Sequence, residues 1–236
     1  MLTIVIVILI VVTAASITAL FLRGFTIDDL TDQFKNQSLT TPTKQVWLVQ
    51  TTGYDDKMDA YKAGIAAAGN DWGVYVLPDN GKWTWVAGVY TTAEESDEAL
   101  KQSGLPTNAS SKLYQITGKS FQLAPDAAVA CGQVLTAVEN VFNLLLDLRT
   151  AINKAADSGN LILDLTAQYN QIKGSSETLQ TLNANLQNQF VATVIYTANQ
   201  NILSLQDIVC SDANHPVSLA QINTALLKTI FSLDNF

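Results

Sequence analysis

The sequence predicts an α+β protein in three parts: an N-terminal transmembrane helix, a βαββαβ unit, and an all-α antiparallel helical hairpin or bundle. Three observations carry this reading. Residues 2–22 contain no charged side chain, and a helix of about 20 such residues spans the roughly 30 Å hydrocarbon core of a bilayer. Residues 44–123 alternate β-rich stretches with two short helical stretches. From residue 124 onward the apolar period becomes 3.6 and glycine becomes sparse.

The apolar run holds Ile4, Val5, Ile6, Val7, Ile8, Leu9 and Ile10 without a polar stripe, which argues against a buried helix of a soluble core. A cleaved signal peptide is the rival, because Val12-Thr13-Ala14 offers small residues spaced like a cleavage site. No basic residue precedes the run, however, and it continues past Ala14, so residues 1–23 read as an uncleaved anchor. Arg23, just after the span, weakly favours an inside C-terminus on the charge rule. Residues 24–43 read as a juxtamembrane linker: Phe25, Ile27, Leu30 and Phe34 could share one side of an interfacial helix, and Asn36 to Thr43 is polar, with Pro42 as a breaker.

In the first domain, residues 44–123, Lys44–Thr52 reads as a strand and Asp55–Ala68 as a helix stopped by Gly69-Asn70. Trp72–Leu77 and Trp83–Tyr90 follow as strands around Asp79-Asn80-Gly81, a pairing that suits the positive φ angles of a type I′ hairpin turn. Thr92 caps a helix to Ser103, with Glu94 and Glu95 where the helix dipole favours anions. Ser111–Thr117 is the last strand. The resulting order is a split-βαβ arrangement, a four-stranded antiparallel sheet with both helices on one face. A 36-residue repeat supports it: Trp47 and Trp83, Tyr54 and Tyr90, and Ala63 and Ala99 share that spacing, as two pseudo-symmetric halves would.

Strand alternation then sorts the side chains. Trp47, Trp83 and Trp85 are expected against the two helices. The opposite face is expected to be open and to carry Leu48, Gln50, Tyr75, Leu77, Thr84, Val86 and Gln115.

In the second domain, residues 124–236, Pro125 fits the first position of a helix, and Val141, Leu145, Leu148 and Ile152 trace its stripe. Leu179, Leu182, Leu186, Phe190 and Val194 trace another. Ser218-Leu219-Ala220-Gln221 is a capping box ahead of a helix to about Leu233. Two arrangements stay open. A turn at Asp157-Ser158-Gly159-Asn160 gives a four-helix bundle. A helix running to Lys173, with the turn at Gly174-Ser175-Ser176, gives a long hairpin, which is the arrangement favoured here. In the hairpin, Cys131 lies 43 residues before Gly174 and Cys210 lies 36 after it. At about 1.5 Å per residue the two are within roughly 10 Å along the axis, so a Cys131–Cys210 disulfide is expected.

Composition excludes several functions. The net charge of −8 lacks the basic footprint of a nucleic-acid binder. With two cysteines and one histidine, His215 beside Pro216, no four-ligand metal site is expected and no cofactor is implied. Glycan cleavage needs two placed carboxylates, whereas the acidic residues fall mostly in first turns and loops, so no enzymatic activity is expected.

Trp47-Leu48-Val49-Gln50 followed by Tyr54, and Val86-Ala87-Gly88-Val89-Tyr90, resemble the first and third strands of SPOR (sporulation-related repeat) domains. The resemblance covers about a third of the chain. Thr52 and Val89 depart from it, standing where that family usually has glycine and proline. It implies a ferredoxin-like fold and binding of peptidoglycan glycan strands on the open sheet face by a bacterial envelope protein active in cell division or cell-wall organisation. Gln50 corresponds to the family's strand-one glutamine, and Leu48, Tyr75, Thr84, Val86 and Gln115 would surround it. The resemblance also implies extracytoplasmic C-terminal domains on a single-pass anchor in the cell membrane. The helical domain, whose polar face is rich in Asn, Gln and Thr and poor in charge, reads as a spacer or as a module that docks another envelope protein. The alternative is a structural or scaffolding envelope protein whose α/β module packs on the helical domain and binds no glycan.

Overall fold

A computed structural model of the chain describes residues 36–102, 104–154, 166–186, 189–209 and 217–235. The apolar segment 1–23, most of the linker to residue 35, and Cys210 lie outside them. The strands are β1 (Gln37–Thr40), β2 (Lys44–Tyr54), β3 (Tyr75–Asp79), β4 (Lys82–Tyr90), β5 (Ala109–Ile116) and β6 (Ser120–Leu123). The helices are α1 (Lys57–Ala68), α2 (Ala93–Ala99), α3 (Pro125–Lys154), α4 (Thr166–Leu186), α5 (Gln189–Val209) and α6 (Leu219–Asp234).

The main sheet is antiparallel in the order β3-β4-β2-β5, the split-βαβ order expected from the sequence. Its hairpin turns through Asn80 at φ 50° and Gly81 at φ 79°, the left-handed pair that a type I′ turn requires. The 36-residue repeat is visible in the register. Trp47 stands opposite Tyr90 and Tyr54 opposite Trp83, so a twofold relation between β2 and β4 exchanges the two pairs. Asp56 caps α1 and Thr92 caps α2, each accepting a hydrogen bond from a first-turn amide.

Residues 37–40, expected as linker, form a strand instead. β1 pairs antiparallel with β6. The connection is fixed beyond the strands by Thr41 Oγ1, which accepts from the Lys119 amide at 2.8 Å, and by Thr43 Oγ1, which accepts from the Gly118 amide at 3.0 Å. The ribbon leads straight into α3, whose Gly132 lies close under Leu39.

The helical part corrects the favoured hairpin. α3 and α4 pack against each other, which one continuous helix cannot do with itself, so they are two separate helices. Gly174-Ser175-Ser176 lies inside α4. There Ser175 and Ser176 are buried, and Ser176 Oγ donates to Asn199 Oδ1 of α5 at 3.1 Å. Small side chains at this point let two helices approach, and tertiary packing overrides their turn propensity. Cys131 is a free thiol sealed in the core, and burial pushes its pKa up to about 12. The expected disulfide partner, Cys210, lies outside the described residues.

α6 starts with the expected capping box: Ser218 Oγ accepts from the Gln221 amide, and the Gln221 side chain accepts from the Ser218 amide. A buried polar knot ties it to α5, with Asn201 Nδ2 donating to Ser232 Oγ at 2.8 Å and Thr229 Oγ1 donating to Asn201 Oδ1 at 3.1 Å. α3 is long and apolar enough to cross a bilayer, yet half of its most apolar stretch is buried within the fold. Its stripe of Val141, Leu145, Leu148 and Ile152 is core.

Candidate functional site

The sheet has two apolar faces, and both are covered. On one, Trp85, Val49 and Ala87 pack with Ala60 and Ala67 of α1 and Ala99 of α2. Trp85 Nε1 donates to the Gly73 carbonyl at 3.0 Å, as expected of a buried indole. Trp85 and the partly buried Trp83 lie on this side, as the alternation requires.

The other face, expected to be open, is the floor of the helical core. Val46, Leu48, Val86, Val89 and Ile116 belong to one continuous cluster with α3 residues such as Val141, Phe142 and Leu145 and α6 residues such as Ile222, Leu226 and Ile230. Tyr75 stacks on Phe231 of α6 with ring centroids 4.6 Å apart, and Tyr114 meets the same ring edge-on at 5.3 Å. Polar ties close the seam. Val74 N donates to Thr224 Oγ1 at 3.0 Å, Asn223 Nδ2 donates to the Asp71 carbonyl at 2.8 Å, and the Tyr114 hydroxyl donates to Asp234. Lys44 forms an ion pair with Glu139 of α3 at 3.7 Å and sits over the Phe142 ring. Burial lowers its pKa, opposed by that glutamate.

Each residue expected to touch glycan is accordingly relocated. Leu48 is 1 % exposed, Val86 0 %, Thr84 2 % and Gln50 6 %, and Tyr75 and Leu77 are packed against the helical core. Gln115 is on the wrong face altogether. It stands opposite Gln45, whereas Tyr114, opposite Val46, points into the core. These seven residues do not form an accessible surface. The Thr84 hydroxyl has no hydrogen-bond partner, a cost that suits a packed seam more than a polar recognition face.

What the junction does leave open is a cleft of about 250 Å³ at its margin, lined by Tyr90, Glu95, Glu98, Gln102, Arg149 and Asn223 among others. Arg149 projects from α3 and is only 7 % exposed. Its Nη1 donates to the Val89 carbonyl at 2.6 Å and to Asn223 Oδ1 at 3.3 Å. The guanidinium carbon lies 4.5 Å from the Tyr90 ring centroid, within cation–π range. Burial lowers the Arg149 pKa, with Tyr90 and Glu95 opposing, but no carboxylate among the described residues comes within ion-pair distance. Sequence reasoning missed this arginine, although its signal was present: Arg149 lies four residues after Leu145 and three before Ile152, on the apolar side of its own helix. Among the described residues no group of three His, Cys, Asp or Glu side chains is placed to hold a metal ion.

No family model, curated protein or solved structure matches the chain.

Proposed function

We propose that this chain is a non-catalytic, structural envelope protein: a single-pass anchor at residues 1–23 carries an α/β module that is docked on its own helical domain and does not bind glycan. The observation that carries this reading is the closed sheet face, with Leu48 and Val86 in one core with α3 and α6. The apolar run at residues 2–22 supports the anchor, the βαββαβ order supports a likeness in fold to wall-binding modules, and the covered sheet face supports the absence of glycan binding. A glycan polymer could reach Gln50 only after α6 had left the sheet. Separating the two would expose the large apolar area now shared between them, which opposes opening by roughly 25 cal/mol for each Å².

The test is co-sedimentation of the detergent-solubilised full chain with purified sacculi, before and after amidase removal of stem peptides. The expected result is retention no greater than that of an unrelated acidic protein in both preparations. Strong retention that disappears in a Gln50→Ala, Tyr75→Ala double variant would overturn the proposal and restore wall binding.

A further inference from the structure

The cleft at the margin of the sheet–helix junction has an unused recognition group in its wall. A guanidinium carries five N–H donors, and Arg149 commits only Nη1, to the Val89 carbonyl and Asn223 Oδ1. Nε and Nη2 have no hydrogen-bond partner among the described residues. They are not sealed either, because among the described residues the only fully buried side-chain nitrogen or oxygen atoms without partners are the hydroxyls of Thr51 and Thr84. The Nε–Nη2 edge, the pair of parallel donors that binds a carboxylate in bidentate fashion, therefore carries no protein acceptor among the described residues, on a side chain that lines the cleft. A buried arginine is rarely left without an anion.

The charge of the other wall narrows the ligand. Glu95 and Glu98 of α2 line the same cleft and are exposed. Glu95 Oε2 already accepts from the Thr91 amide and hydroxyl. Glu98 makes no ion pair or side-chain hydrogen bond among the described residues. Two carboxylates at the mouth disfavour phosphate esters and other polyanions, and they favour a cation held outside the guanidinium. The cleft is smaller than the usual drug-sized pocket of about 300–1,000 Å³, so the ligand is small. We propose that it binds a small zwitterion of α-amino-acid type, with its carboxylate on the Nε–Nη2 edge of Arg149 and its ammonium toward Glu98. The site joins α2 of the α/β module to α3 and α6, so its occupancy would bridge the two parts of the fold. It does not depend on anchoring or on wall binding.

Calorimetric titration of the full chain with the common L-amino acids, one at a time, tests this beside acetate, propionate and inorganic phosphate. Saturable binding of at least one amino acid is expected. Affinity should fall by about tenfold or more in Arg149→Lys, which keeps the charge but loses the fork, and by roughly threefold in Glu98→Gln, the scale of an exposed charge pair. Glu98 is a surface position, so that variant reports binding without disturbing the fold, and the thermal transition of Arg149→Lys shows whether its loss is local. No saturation by any amino acid up to about 10 mM, a range that covers the weak millimolar regime, overturns the proposal. So does equal binding by acetate, propionate or phosphate, or affinity unchanged in both variants.

Discussion

Leu48→Asp is expected to lower the unfolding free energy by roughly 4–6 kcal/mol. Removing a fully buried leucine side chain costs about 1.5–3 kcal/mol, and burying a carboxylate without a partner adds several more. Leu48 sits in β2 at 1 % exposure, in one cluster with residues of α3 and α6, and its cross-strand neighbour Lys112 is an exposed residue of the edge strand β5. Proteins of this size are stable by only about 5–15 kcal/mol, so the variant should stand close to unfolding at room temperature. On a sheet face turned to solvent the same change would fall within about 0.5 kcal/mol. Gln45→Asp, an exposed position in the same strand, is the control and should stay in that range. Urea denaturation followed by tryptophan fluorescence reads the difference, since all four tryptophans lie between residues 47 and 85.

Trp85→Ala should cost about 3–5 kcal/mol, the range for truncating a buried aromatic residue. Its ring is fully buried between β4 and α1. A Cβ at Gly64 would lie 2.8 Å from Trp85 Nε1 and 2.8 Å from Val74 Cγ1, so α1 is packed on the indole with no slack, and a cavity there cannot be refilled by its neighbours. Trp85→Phe keeps much of the ring but leaves the Gly73 carbonyl without its side-chain donor, and about 1–3 kcal/mol is expected. The same denaturation curves order the two. A Trp85→Ala loss no larger than that of Trp85→Phe would contradict the packing described for this face.

Local chemistry made the α/β module readable in advance. Asn80-Gly81 suits a tight hairpin, and the spacing of Trp47, Tyr54, Trp83 and Tyr90 marked two pseudo-symmetric halves, a relation that the β2–β4 register carries. Ser218 with Gln221 located the start of α6 for the same reason, since a capping box is a short-range device. The covered sheet face was less visible because alternation alone does not say what lies on either side. Yet Val46-Trp47-Leu48-Val49 and Trp85-Val86-Ala87 are continuous apolar runs, and such runs mark strands buried on both faces. Gln115 was misplaced because the β2–β5 register fixes Tyr114 inward, and register is a long-range property. The helical part was misread at Gly174-Ser175-Ser176, where a turn-like triplet serves as a close-packing patch between α4 and α5. Arg149 could have been found as a charge on an apolar stripe, but its partners, the Val89 carbonyl and Asn223, lie 60 and 74 residues away.

The docking of the sheet on the C-terminal helix is tested most directly by nuclear Overhauser contacts between aromatic side chains in the isotopically labelled chain. With Tyr75 stacked on Phe231 and Tyr114 edge-on to the same ring, strong cross-peaks are expected from the Phe231 ring protons to both tyrosines. A Phe231 ring that shows contacts only to helical residues, with Tyr75 and Tyr114 seeing solvent, would contradict the closed face and everything built on it.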